Sequence, residues 1–191
     1  MAGCAALDDA GAAAAAAALG ARLRRLDLSG CERVGEGGAA ALLAAAAGLR
    51  SLSLAGNRNV GARTLAAAAR LRHLRRLDAA LCCGVDDAAL ARLAACPSLA
   101  DVNVRACWRL SEQGIHALLT RSTSIVSLNV EGCHRLFGCQ GAVPTGFDPQ
   151  QDPRRPGVLS RRPPGAEPVG AGAGTERPAA AAGQMPIVVI A

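Results

Sequence analysis

Cysteine and histidine are the residues of this sequence with the clearest capacity for chemistry. The 191 residues include eight cysteines and three histidines, and thiols and imidazoles can form disulfides, bind zinc or act in catalysis. The sequence contains no C-x-x-C pair, the spacing typical of zinc sites. His73, His116 and His134 fall at different positions of an internal repeat, so we expect no convergent metal or catalytic site. Nucleophile elbows, phosphate-binding loops and paired-carboxylate motifs are also missing. The sequence therefore predicts neither an enzyme nor a cofactor.

Most of the cysteines belong to one regularly spaced column. Its members lie 25 to 27 residues apart, and an asparagine replaces cysteine at one position. Both side chains can hydrogen-bond backbone groups in a tight turn, so we interpret the column as a structural ladder of reduced residues. Reduced thiols favour the cytoplasm, with the nucleus or a cytoskeletal or axonemal assembly as alternatives. The ladder comprises Cys4, Cys31, Asn57, Cys82, Cys107 and Cys133.

Each ladder residue from Cys31 onward follows a segment of the pattern L-x-x-L-x-L. Apolar and polar residues alternate within it, which predicts a short strand. A fixed period of this length is typical of stacked repeats rather than of one globular core. The period is 25 or 26 residues, and the copies begin at Leu23, Leu49, Leu74, Leu99 and Ile125.

A helix is expected after each ladder residue. Asp8, Asp86 and Ser111 suit the N-cap position, and an acidic residue occupies the first turn of most copies, where the helix dipole favours it. A strand and then a helix in every repeat predicts an α/β fold with a parallel inner sheet and an outer layer of helices. The first-turn acids are Asp9, Glu36, Asp87 and Glu112, and the helices are expected over 9–19, 36–47, 62–70, 87–95 and 112–121.

The segment 96–107, C-P-S-L-A-D-V-N-V-R-A-C, resembles the cysteine-containing leucine-rich repeat of F-box/leucine-rich-repeat proteins. The segment 23–31, L-R-R-L-D-L-S-G-C, is similar to it as well. The likeness covers about residues 4–136 and implies a curved leucine-rich-repeat solenoid of about five to six repeats. It also implies a protein-binding module that recognises substrates for a Skp–cullin–F-box (SCF) ubiquitin ligase. The implied partners are substrate proteins or SCF components, although we expect no F-box within this sequence.

Two other functions stay open for such a repeat surface. One is a structural scaffold of cytoskeletal or axonemal assemblies. The other is a horseshoe-shaped inhibitor that wraps around an enzyme. The incomplete repeats at both ends also leave room for self-association, because solenoids normally need capping repeats.

The polar residues of the strand pattern are expected to line the concave face of the solenoid. The end formed by repeats four and five carries the most hydrogen-bonding side chains, and Trp108 lies on the adjacent rim. Tryptophan and arginine are enriched among binding hot spots, so we predict the principal partner site here. The alternatives are a solvated sheet face without a ligand and, for Trp108, packing on the loop of the neighbouring repeat. The predicted site comprises Asp78, Asp101, Asn103, Arg105, Trp108, Arg109, Asn129, Glu131 and His134.

The composition changes after residue 137. Nine of the ten prolines lie beyond residue 143, so we divide the chain into a repeat domain (1–137) and a disordered Pro/Gly/Ala-rich tail (138–191). The net charge is +6 and only 2% of residues are aromatic, which argues against a nucleic-acid-binding surface. No run of about 20 strongly apolar residues predicts a membrane span.

Overall fold

A computed structural model describes residues 6–133, 147–149 and 158–161. The fold is α/β and consists of successive strand–loop–helix units. The helices are α1 (Asp9–Leu19), α2 (Glu36–Ala45), α3 (Ala62–Ala69), α4 (Asp87–Leu93) and α5 (Glu112–Arg121), with a 3-10 turn at Gly20–Arg22. The strands are β1 (Arg25–Asp27), β2 (Ser51–Ser53), β3 (Arg76–Asp78), β4 (Asp101–Asn103), β5 (Ser127–Asn129), β6 (Phe147–Pro149) and β7 (Val158–Arg161).

The strands form one sheet in the order β1-β2-β3-β4-β5-β7-β6. The first five are parallel and pair in register, so that equivalent residues of successive repeats are neighbours. This arrangement confirms the predicted parallel sheet and its period. The central pairing runs through Leu26, Leu52, Leu77, Val102 and Leu128.

The hydrophobic core lies between the sheet and the layer of helices. The central strand residues are buried, and so are the leucines that the helices direct towards them. Full burial of one leucine side chain contributes about 1.5–3 kcal/mol, so the leucine columns account for much of the folding free energy. Helix leucines with at most 1% exposure include Leu42, Leu43, Leu65, Leu90, Leu93 and Leu118.

The first-turn acids connect one repeat to the next as well as facing their own helix. Asp9 Oδ1 accepts the Gly35 N–H at 2.6 Å, and Asp87 Oδ1 accepts the Ser111 N–H at 2.8 Å. Each bond satisfies a backbone donor at the residue before the following helix, a position where donors lack partners within the helix. A Cβ atom at Gly114 would overlap the Asp87 carboxylate, so this close contact requires glycine.

The predicted N-caps are confirmed at two positions and wrong at the third. Asp8 accepts from the Gly11 N–H and Asp86 from the Ala89 N–H, both at 2.9 Å. The Ser111 side chain makes no capping bond, because its hydroxyl donates to the Asp87 carboxylate of the preceding repeat.

The ladder side chains bind backbone carbonyl groups one repeat earlier. The Sγ atoms of Cys82, Cys107 and Cys133 donate to the carbonyl oxygens of Leu54, Ala79 and Val104 at 3.1, 3.2 and 3.2 Å. Asn57 Nδ2 fills the same role with bonds to the carbonyl groups of Leu28 at 2.6 Å and Leu54 at 2.9 Å.

Burial keeps the ladder thiols protonated. Desolvation raises the pKa of Cys82 to about 11 and that of Cys107 to about 12, so both remain hydrogen-bond donors at neutral pH. Cys31 is also buried, and no disulfide links the cysteines in the part of the chain that the structure covers. The predicted reduced ladder is therefore confirmed there, whereas Cys4 lies outside the described residues.

The structure differs from the predicted disordered tail at two segments. Phe147–Pro149 and Val158–Arg161 form β6 and β7, and β7 pairs antiparallel with β5. The Arg161 guanidinium also donates to the carbonyl groups of Ser122 at 2.7 Å and Ile125 at 2.9 Å. The backbone of β5 offers unpaired donors and acceptors at its edge, and a four-residue strand is enough to satisfy them. The rest of 138–191 lies outside the described residues.

This pairing also changes the expectation for the C-terminal end of the stack. The sequence interpretation left the end after β5 uncapped, but β7 covers the edge of that strand. Self-association through the N-terminal end stays a prediction.

Candidate partner-binding surface

The face of the sheet that points away from the helices carries a shallow depression of about 780 Å³. We call this face the open sheet face. Alternation along each strand buries the central leucine or valine and leaves the two flanking residues accessible. The structure brings six of the predicted site residues together in the lining of the depression, namely Asp78, Asp101, Asn103, Arg105, Asn129 and Glu131. Trp108 and Arg109 lie outside the lining, and His134 lies outside the described residues.

The central column of this face has a structural role that the sequence interpretation did not include. The Oδ1 atom of each Asp or Asn accepts the backbone N–H two residues later and fixes the turn after the strand. Asp78 Oδ1 also accepts from Asn103 Nδ2 at 3.0 Å, which links two neighbouring repeats. The turn bonds join Asp27 to Ser29, Asp78 to Ala80, Asn103 to Arg105 and Asn129 to Glu131, at 2.9 to 3.1 Å.

Two ion pairs cross between neighbouring repeats on the open sheet face. Arg76 Nε lies 3.2 Å from Asp101 Oδ2, and Arg105 Nε lies 3.3 Å from Glu131 Oε2. All four side chains are at least 36% exposed, so each pair contributes at most about 1 kcal/mol to stability. Their main effect is to hold charges of both signs at fixed positions, where they can select a complementary surface.

Trp108 is exposed at the end of the face. It has 53% of its surface accessible, which favours the interpretation as a rim anchor over packing on the neighbouring loop. Arg109 belongs to an ion pair instead, because its Nη2 lies 3.8 Å from Asp86 Oδ2 of the preceding repeat. The two predicted rim residues thus differ, with an accessible aromatic ring beside a paired guanidinium.

Leu81 is a rim residue that the sequence interpretation missed. Its side chain is 55% exposed and its backbone φ is +60°, a left-handed conformation that is costly for a leucine. Glycine or alanine occupies the equivalent position of the other four repeats, all with positive φ (Gly30, Gly56, Ala106 and Gly132). The Leu81 N–H donates to the carbonyl oxygen of Arg105 at 2.8 Å, which places this leucine one repeat from Trp108 at the same edge. Strain without burial is typical of binding positions.

The described residues include no cluster of three or more His, Cys, Asp or Glu placed to hold a metal ion. In the same part of the chain, every helix is too short or too polar to cross a bilayer. The chain matches no protein-family model and no curated protein sequence.

Proposed function

We propose that this chain is a leucine-rich-repeat solenoid that recognises a protein partner through the open sheet face and its rim. Five strand–helix units in register and a ladder of Cys and Asn side chains support the solenoid assignment. Repeat surfaces of this kind present extended binding platforms to other proteins.

The observation that carries the proposal is the pairing of a polar depression with two exposed apolar side chains at its edge. The depression supplies fixed hydrogen-bonding groups and charges, and Leu81 and Trp108 supply apolar area at the rim. Binding interfaces combine desolvated apolar anchors with surrounding polar groups in this way. The depression is open and mostly polar, which suits a protein segment better than a buried small molecule.

We further propose substrate recognition in an SCF ubiquitin-ligase pathway as the biological role. The support is the likeness of the segments 23–31 and 96–107 to the repeats of F-box/leucine-rich-repeat proteins. The free, buried thiols support a reducing compartment such as the cytoplasm. A cytoskeletal or axonemal scaffold is the second candidate, and both roles use the same binding surface.

Pull-down with a double variant tests the binding surface. Arg105→Glu combined with Trp108→Ala should lose the partners of the wild-type chain while circular dichroism and melting temperature stay unchanged. Arg25→Glu, at the opposite end of the open sheet face, is the matched control and should retain the partners. Loss of binding by the control alone would move the site to that end, and retention by both variants would remove the open sheet face from consideration.

Affinity purification with mass spectrometry separates the two biological roles. Enrichment of cullin and adaptor subunits, lost in the double variant, would support the ubiquitin-ligase role. Enrichment of tubulin-associated proteins with the same loss would support the scaffold. This comparison uses the variants above, so that each captured protein is assigned to the surface or excluded from it.

A further inference from the structure

A second depression lies on the opposite side of the molecule, between the outer surfaces of α2 and α3. It has a volume of about 790 Å³, and we call it the helix groove. Its floor is apolar and consists mainly of small side chains: Ala40, Leu43, Ala44, Ala66 and Ala67. Leucine Leu43 is buried at the bottom, whereas Ala44 is exposed at the surface. The groove shares no residue with the open sheet face.

The rim of the helix groove is strongly basic. Arg63, Arg70, Arg72 and His73 line it, all four are exposed, and no Asp or Glu belongs to the described lining. None of the three arginines forms an ion pair within the described residues. Glu36 approaches Arg63, but it accepts the backbone N–H of that residue.

The basic rim is specific to this repeat. Cations near the end of a helix can be explained by the helix dipole alone, and the same explanation would apply to the neighbouring repeats. The equivalent positions 25 residues earlier and later are all uncharged. They are Gly38, Ala45, Ala47 and Gly48 in the preceding repeat and Ala88, Ala95, Pro97 and Ser98 in the following one.

We propose that the helix groove binds an amphipathic helix of a partner protein whose apolar stripe is flanked by acidic residues. A groove between two neighbouring helices accepts the side-chain ridge of a third helix, and small floor residues allow that helix to approach closely. The unpaired arginines on the rim then meet the acidic flanks, which provides the charge complementarity of the complex. Recognition of this kind uses apolar anchors at helical spacing.

The shape of the site favours a helix over a membrane surface or a nucleic acid. Peripheral membrane binding needs large apolar side chains that project from the protein, but the leucines of this site, Leu43 and Leu71, are buried. Single-stranded nucleic acid would need aromatic side chains for stacking, and the lining contains no Phe, Tyr or Trp.

The test uses a labelled synthetic helix and the full chain. The probe is a peptide of about 18 residues, long enough for roughly five helical turns, with leucines on one face and glutamates on both sides of that face. One matched peptide has lysine in place of every glutamate, and another has a central proline that breaks the helix. Fluorescence anisotropy gives the dissociation constants.

Three variants assign the binding to the groove. Arg63→Glu with Arg70→Glu should weaken binding of the glutamate peptide by about tenfold or more, since like charges then face each other. Arg92→Glu with Arg121→Glu makes the same charge change at exposed positions of α4 and α5 outside the groove and should leave binding unchanged. Ala44→Trp fills the groove at an exposed position without changing charge, and it should also abolish binding. Circular dichroism of each variant reports the fold.

The proposal is supported if the glutamate peptide binds the wild type and the control variant but neither of the groove variants. Equal binding of the lysine or proline peptide would overturn it, and so would equal losses in the groove and control variants. Absence of binding by all peptides would also overturn it. Sedimentation with vesicles of about 30% phosphatidylserine in place of peptide binding would assign the basic rim to a membrane. Because Trp108→Ala lies outside the groove, it should leave peptide binding intact, so failure of this proposal is distinct from failure of the proposed function.

Discussion

Cys107 donates its thiol hydrogen to the carbonyl oxygen of Ala79, which lies 28 residues earlier in the chain. The bond is fully buried and connects the turn of one repeat to the strand end of the preceding repeat. A column of such bonds joins the repeats along the stack, so a side-chain change at one ladder position affects two repeats.

Removing one ladder donor should destabilise the domain. Cys107→Ala leaves the Ala79 carbonyl group buried without its donor, and we expect a loss of about 1–3 kcal/mol in the free energy of unfolding. Cys107→Asn should cost less, because Asn57 already bonds two backbone carbonyls at the equivalent position. Urea denaturation measures both changes. A larger loss for asparagine than for alanine would contradict the equivalence of the two ladder residues.

The reciprocal change tests the same relationship from the other side. The Oδ1 atom of Asn57 is buried and has no hydrogen bond within the described residues, which is a cost that a thiol does not have. Asn57→Cys is therefore expected to keep or raise the stability of the domain. A loss as large as that of Cys107→Ala would show that asparagine has a separate role at this rung.

Stability should fall in alkaline solution because of the ladder thiols. Their folded pKa values, about 11 for Cys82 and about 12 for Cys107, lie above the ordinary value of 9.0. The stabilisation is therefore complete below pH 9 and is lost progressively as the pH rises from 9 to 12. The sequence has no Tyr, and all its basic side chains other than histidine are Arg, so few other side chains titrate in this window.

Denaturation curves between pH 7 and the upper end of this window check the alkaline effect. The free energy of unfolding should decline less steeply in Cys107→Asn than in the wild type, because one titrating group has been removed. Equal slopes would exclude the Cys107 thiol as a source of the pH dependence.

Leu81→Gly should stabilise the protein. Glycine adopts the left-handed conformation of Leu81 without steric cost, which outweighs its greater entropy loss, and the exposed side chain gives up little packing. We expect a gain of about 0.5–1 kcal/mol, measured by thermal or urea unfolding, together with weaker binding of any partner of the rim. Destabilisation would show that the leucine packs against the rim more than its exposure indicates.

Asp87→Ala should loosen the contact between the fourth and fifth repeats. The carboxylate accepts both the N–H and the hydroxyl of Ser111, so its removal leaves a backbone donor unsatisfied at the start of α5. We expect a loss of about 1–3 kcal/mol and faster hydrogen exchange at the first amides of α5. Glu112→Ala changes an acid of the same helix turn and serves as the control. Equal effects of the two changes would point to the helix dipole instead of the bond between repeats.

The repeated architecture could be predicted from the sequence because its signals are local and recur. The apolar spacing fixes the buried face of each strand, and Asp8 and Asp86 mark helix starts by their side-chain chemistry. Helix ends were less accurate. The helix predicted over 36–47 ends at Ala45, because a run of alanines contains no terminating residue and the tertiary turn decides where it stops.

The parts of the candidate site that could not be predicted depend on contacts between repeats or on backbone conformation. The pairing of Arg109 with Asp86 requires two loops to be neighbours, and the strained φ of Leu81 has no side-chain signature. The strand at Val158–Arg161 was missed because the composition of the whole tail outweighed a short segment able to pair with β5.

The antiparallel β7–β6 pair has a consequence for polymerisation. A stack of parallel repeats that ended at β5 would present an edge to which the first strand of another molecule could add, and repetition of that contact would produce a filament. β7 occupies this edge with the opposite strand polarity, and β6 then becomes the outermost strand of the sheet. β6 contains Pro149, which lacks a backbone N–H and so weakens any further strand pairing. We therefore expect the C-terminal end of the sheet to terminate linear growth.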